Sequence, residues 1–197
     1  MELAIEVRIL APEPIFYYEV IMPGSAIEGK DLVKNFVLNN NIHTVLDVGP
    51  GEGTYYHALQ DCGITQLDGV EIFLPYIDMF HLEEKYNRIF INDIYDFDWG
   101  GYGTYDLVIL GDVIEHMIEE RGRKVISDAA AHARFVVVSL PIYGYEQGPA
   151  FGNEHEAHLE QYSDERIREV LKDYEILESF KGEIVGVYIF REGNNFV

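Results

Sequence analysis

Cysteine is almost missing from this chain. Cys62 is the only one among 197 residues, so no internal disulfide can form. Basic residues are also scarce: 14 Lys and Arg face 35 Asp and Glu, for a net charge of −21. The densest basic stretch, Arg121-Gly122-Arg123-Lys124, directly follows acidic Glu119-Glu120. A phosphate backbone would be repelled by most of such a surface, so a nucleic-acid partner is not expected. No apolar run approaches the roughly 20 residues of a membrane helix, and no membrane partner is expected either. Internal repeats, low-complexity tracts and a dividing linker are all missing, and 197 residues suit one domain spanning 1–197. The start, Met1-Glu2-Leu3-Ala4-Ile5-Glu6-Val7-Arg8, is acidic where a secretory leader would be basic. With the lone cysteine, this leads to the expectation of a cytoplasmic protein.

What is present is a regular alternation of strands and helices. Hydrophobic residues make up 48% of the chain and charged ones 25%, enough for an ordinary core. Ile15–Ile21 reads as extended or briefly helical. A helix is predicted over 27–39, where Ile27, Leu32, Val33, Phe36 and Val37 share a face. Strands follow at 44–48, 65–72, 88–92, 105–111 and 134–140, with helices over 54–62, 74–84 and 119–132 between them. Strand 105–111 is nearly all apolar and reads as buried on both faces. Ser163-Asp164-Glu165-Arg166 resembles a helix cap. The last strands, 174–180 and 184–190, are separated only by Lys181-Gly182-Glu183 and should pair as a hairpin. This order predicts an α/β, Rossmann-like three-layer sandwich. Its seven-stranded sheet would be mostly parallel, with a C-terminal antiparallel hairpin.

In such sheets ligands bind beyond the carboxyl ends of the strands. The first strand ends in Asp47-Val48-Gly49-Pro50-Gly51-Glu52-Gly53-Thr54. Glycines at every second position let the backbone turn tightly and lie against a ligand, and the following helix offers unpaired N–H groups. A dinucleotide turn would read G-x-G-x-x-G; here the third glycine, Gly53, comes one residue early and Thr54 takes its place. Glu71 ends the second strand, placed to accept from two ribose hydroxyls, a feature that NAD would also satisfy. Asp93 follows the third strand and can accept from an adenine amino group. Any one of these carboxylates alone reads as a solvated loop residue, but three in register after successive strands do not.

These residues make the chain resemble the class I S-adenosylmethionine-dependent methyltransferases over about residues 31–191. The resemblance rests on Val45–Gly53, Gly69-Val70-Glu71, Asn92-Asp93-Ile94 and Tyr105–His116. It implies S-adenosylmethionine as cofactor, with Asp47 and the turn Gly49, Pro50, Gly51 and Gly53 around its methionine part. It places Glu71 and Ile72 at the ribose, Asn92, Asp93 and Ile94 at the adenine, and Gly111 and Asp112 near the sulfonium. Within the family the chain looks most like small bacterial or phage-type members that carry a Gln-Gly…Gly-Asn-x-x-Glu-x-His loop. No assigned acceptor comes with that likeness. The implied activity is methyl transfer; the expected acceptor is an oxygen or nitrogen of a small molecule, organic or sugar-like, which the aromatic candidates named below would suit. The alternative is a non-catalytic nucleoside-binding or partner-subunit module with the same fold. An NAD-dependent oxidoreductase is disfavoured by Thr54 and by the missing Ser/Tyr/Lys set. Oligomeric state is not legible.

The residues that would face the acceptor are less determined. His116, His155 and His158 are the candidate bases, with Glu115, Glu154 and Glu156 beside them. Glu115-His116 serves more simply as an anchor for the helix that follows. His155 and His158 fall in the unpatterned stretch 141–163, which should cover the acceptor. They can act as bases, orient substrate, or ligate a metal, but the spacing is not His-Glu-x-x-His and no third ligand is evident, so no metal is assigned. Tyr17, Tyr18, Tyr143, Tyr145 and Phe151 are candidates for an aromatic wall, and residues 1–30 for an extension packed near the acceptor pocket.

Overall fold

The computed structural model describes residues 26–144 and 146–193. The sequence readings at Ile15–Ile21, Tyr17, Tyr18 and Tyr145 lie outside the described residues. Among the described residues seven strands form one sheet: β1 (Thr44–Val48), β2 (Gln66–Glu71), β3 (Arg88–Ile91), β4 (Tyr105–Gly111), β5 (Ala133–Pro141), β6 (Tyr174–Lys181) and β7 (Val185–Glu192). Their spatial order is β3-β2-β1-β4-β5-β7-β6. The first five run parallel, and β7 enters antiparallel between β5 and β6. The predicted sandwich and its terminal hairpin are therefore present.

The pleat explains why the strands read as continuous apolar runs. Successive side chains of β4 go to opposite faces: Val108 and Leu110 pack with one cluster, Leu107 and Ile109 with the other. The first cluster is covered by α5 (Glu119–His132), through Val125, Ile126 and Ala129, and by α6 (Asp164–Val170), through Ile167 and Val170. The second is covered by α1 (Lys30–Asn39), through Val33, Phe36 and Val37, and by α2 (Thr54–Leu59), through Tyr55 and Leu59. Both layers bury apolar stripes against the sheet, which is what makes a parallel sheet stable.

Boundaries differ from the sequence reading where local chemistry intervenes. The helix expected over 74–84 is two, α3 (Leu74–Met79) and α4 (Leu82–Lys85), because His81 between them adopts φ 52°. The helix expected from residue 27 starts at Lys30. Glu28 before it is used instead to accept backbone N–H bonds from Glu183, Ile184 and Val185 at 2.8, 3.0 and 3.0 Å. The cap read at Ser163 is real: its hydroxyl accepts from the Arg166 N–H at 3.2 Å. Among the described residues no helix is long and apolar enough to cross a membrane.

Candidate functional site

The carboxyl ends of β1 to β5 open into a cavity of about 860 Å³. Along the sheet edge its wall is built in strand order: Asp93 after β3, Glu71 at the end of β2 with Ile72 following, Gly49 and Gly51 after β1, Gly111 at the end of β4 with Asp112 following, and Pro141 at the end of β5. Asn92 and Ile94 also line it. Asp47, Pro50 and Gly53 do not line it.

The turn after β1 is possible only because of its glycines. Gly49, Gly51 and Gly53 take φ 62°, 53° and 92°, a region where other residues are strained by about 1–2 kcal/mol each. The Gly49 N–H donates to the Val70 carbonyl at 2.9 Å, which ties the turn to β2. Asp47 is 1% exposed and accepts from the Tyr86 hydroxyl at 2.6 Å. Burial raises its carboxyl to about 7 despite that bond and the nearby Lys30 charge. Lys30 is itself buried, with its ammonium 4.2 Å from the Tyr55 ring centroid. The fully buried position of Asp47 makes it a support of the turn.

Glu71 faces the cavity. Its Oε1 accepts from the Phe73 N–H at 2.8 Å, and the Gly51 and Ile72 amides also favour its charge. Burial outweighs them, and with Glu156 nearby the carboxyl is pushed up to about 7. A buried carboxylate at the end of β2, touching the glycine turn, is an acceptor awaiting donors. Asp93 is held differently. Its Oδ1 caps the turn at Ile94–Asp96 by accepting from the Tyr95 N–H at 2.9 Å, and its Oδ2 meets the Arg121 guanidinium at 2.7 Å. Arg121 also stacks on Tyr95, 4.2 Å from the ring centroid. Arg121 was not singled out in the sequence, because α5 brings it back to β3 across 28 positions.

The stretch after β5 does fold over the cavity. Among its described residues it has no helix or strand beyond a 3₁₀ turn at Glu154–Glu156 and a bridge between Ala150 and Asn153. Asn153 is buried and caps that turn, accepting from the His155 N–H at 2.9 Å. Glu156 Oε1 accepts from the Tyr76 hydroxyl at 3.0 Å, which closes the segment onto α3. The Leu159 and Glu160 amides donate to the Glu115 carbonyl at 2.9 and 3.0 Å. These bonds bring His155, Glu156 and His158 into the cavity wall with His116. Of the aromatic-wall candidates within the described residues, Tyr143 and Phe151 are 53% and 45% exposed and do not line the cavity, whereas Tyr76 does. Ala26 and Ile27 line the cavity, so the chain before α1 does reach it.

His116 and His158 meet edge to face, with ring centroids 4.9 Å apart. The His116 Nδ1–H donates to the Ala157 carbonyl at 3.2 Å. Burial and the neighbouring His158 lower the His116 imidazole to about 4, which makes it a poor proton acceptor at neutral pH. Burial and the Asp112 charge push the Glu115 carboxyl upward. Among the described residues the cavity is acidic: Glu52, Glu71, Asp93, Asp112, Glu115 and Glu156 line it, against the guanidinium of Arg121. Such a lining suits a cationic ligand bearing hydroxyl and amino donors.

Solved structures share this architecture at low sequence identity. A magnesium protoporphyrin IX methyltransferase from Synechocystis PCC 6803, with S-adenosylhomocysteine bound, aligns with a TM-score of 0.62 at 19% identity, covering 83% of this chain and 82% of that one. A 1,6-didemethyltoxoflavin-N1-methyltransferase from Burkholderia thailandensis, holding its substrate and S-adenosylhomocysteine, aligns with a TM-score of 0.67 at 16% identity, covering 89% and 82%. The small RNA methyltransferase HEN1 gives a TM-score of 0.65 at 19% identity, over 84% of this chain but only 25% of that one. No family model matches the sequence, and no curated protein does. The fold is that of class I S-adenosylmethionine-dependent methyltransferases.

Proposed function

We propose that the chain is an S-adenosylmethionine-dependent methyltransferase acting on an oxygen or nitrogen of a small-molecule acceptor. The observation that carries this reading is the set of groups meeting at one edge of the sheet. It comprises the left-handed glycine turn after β1, buried Glu71 touching Gly51, and Asp93 with Ile94 beyond β3. This set fits the cofactor chemically. The turn leaves room that Cβ atoms would fill, Glu71 can accept from two ribose hydroxyls, Asn92–Ile94 can frame the adenine, and the acidic lining suits a sulfonium and an amino group.

The cofactor supplies an electrophilic methyl on sulfur, and its leaving group is a neutral thioether that needs no acid. The protein's part is alignment, worth roughly 7–11 kcal/mol of barrier when the geometry is good. The glycine turn and Glu71 would fix the donor, while Gln147, Asn153, Glu156 and the histidines of the covering segment would orient the acceptor. His116 and buried Glu115 line the cavity beside the expected methyl position. The cavity volume lies within the roughly 300–1,000 Å³ of small-ligand pockets, which favours a small acceptor over a macromolecular one. Calorimetric titration with S-adenosylmethionine, S-adenosylhomocysteine and NAD tests the reading. Binding of the first two without NAD is expected; no heat with either sulfur ligand, or tighter binding of NAD, overturns it.

A further inference from the structure

We propose that Glu115, His116 and His158 form a binding site for a divalent first-row transition-metal ion in the cavity wall. One candidate ligand atom from each lies within 4.8 Å of the others. Bonds of about 2.0–2.2 Å need ligand atoms roughly 3–4 Å apart, so small side-chain rotations close the set on one ion.

Three further observations point to a ligand. Glu115 is 2% exposed, and neither carboxylate oxygen has a hydrogen-bond partner among the described residues. A buried carboxyl left this way is expensive, and a cation is the simplest group to satisfy it. His116 is anchored through one ring nitrogen on the Ala157 carbonyl. Metal-binding imidazoles are commonly oriented by such a carbonyl on the nitrogen that does not bind. The third ligand is delivered by backbone bonds: the His158 N–H donates to the Gln147 carbonyl at 2.9 Å, and the next two amides donate to Glu115 itself. The covering segment is thus registered on the residue whose carboxylate it completes.

Two imidazoles and one carboxylate select first-row transition metals such as Zn²⁺, Mn²⁺, Fe²⁺ or Co²⁺ over Ca²⁺, which prefers an all-oxygen shell. Three protein ligands leave positions open, and all three residues line the cavity. On the methyl-transfer reading, an acceptor oxygen can occupy one of them and be held beside the cofactor. The site itself does not depend on that reading.

Co²⁺ titration of the tag-free, chelator-treated full chain, followed by visible absorption, tests the site. Wild type and the surface control His57→Ala should take up one ion with a ligand-field band. His158→Ala and Glu115→Gln should lose affinity by at least about tenfold. Their binding of S-adenosylmethionine should persist by calorimetry. No ligand-field band in wild type, or equal Co²⁺ affinity in both variants, overturns the proposal. Should Glu115→Gln prove unfolded by circular dichroism, His158→Ala decides alone, since His158 lies in a half-buried surface segment. Cofactor binding without Co²⁺ binding removes only the metal site; Co²⁺ binding without cofactor binding removes only the methyl-transfer reading.

Discussion

At the scale of single residues, Glu71 carries the clearest consequence. Its carboxyl is raised from 4.5 to about 7 by burial. The folded chain therefore keeps a proton that the unfolded chain releases. The stability from this group is fully present below about pH 4.5 and is lost as pH rises through about 7. On the proposed reading cofactor binding has the opposite slope, because two ribose hydroxyls would need the ionised form. Affinity for S-adenosylmethionine should tighten between pH 6 and pH 8, by up to about tenfold per unit below the carboxyl's value. Glu71→Gln should flatten that profile and weaken binding by a few kcal/mol at most, since charge-assisted bonds contribute about 1.5–3 kcal/mol each. Calorimetry across pH checks both, and an unchanged profile in the variant would remove Glu71 from the ribose. The place of Glu71 was readable because a carboxylate at a strand end in a parallel sheet faces the ligand edge. Its neighbour Glu156, 85 positions later, was not, and neither was the pairing of Asp93 with Arg121. Those contacts depend on how the covering segment and α5 fold back, and no local pattern encodes that.

At the scale of elements, the glycine turn and the covering segment differ in what they demand of the sequence. The turn needs left-handed backbone at Gly49, Gly51 and Gly53, and only glycine adopts that without strain. Its signature is therefore written in residue type, and the strand, turn and helix around it were legible. A Gly49→Ala change adds a Cβ at 3.2 Å from Val113 Cγ2 on top of a φ of 62°. It should lower unfolding stability by roughly 1–2 kcal/mol in urea denaturation and reduce cofactor affinity at least as much. Unaltered stability would mean that the turn relaxes freely. The covering segment has no period to read, because it is held by single long-range bonds such as Tyr76 to Glu156 and Leu159 to Glu115. Its position over the cavity was foreseeable from topology alone; its side-chain arrangement was not. The break between α3 and α4 was missed for a related reason: His81 takes a left-handed conformation with no glycine to announce it.

At the scale of the whole molecule, charge is what favours the proposed small-molecule acceptor over a nucleic acid. One structural neighbour acts on small RNA, yet the shared region is only 25% of that protein, so the likeness reaches the fold and not its acceptor. Here the chain carries −21, and among the described residues the cavity repeats the sign with six carboxyl side chains around one guanidinium. Binding RNA through phosphates releases counterions only where cations stand along the surface, and they do not cluster here. A cationic cofactor meets the reverse situation. S-adenosylmethionine, with one more positive charge than S-adenosylhomocysteine, should bind severalfold more weakly as salt rises from about 20 mM to about 500 mM, because screening removes the attraction. S-adenosylhomocysteine should hardly respond. In fluorescence anisotropy at the low-salt end, short single- and double-stranded RNAs should show no saturable binding below the roughly 1–100 µM of non-specific association. Submicromolar RNA binding would mean that a local surface overrides the net charge, and the small-molecule acceptor would have to be given up even if the cofactor site stands.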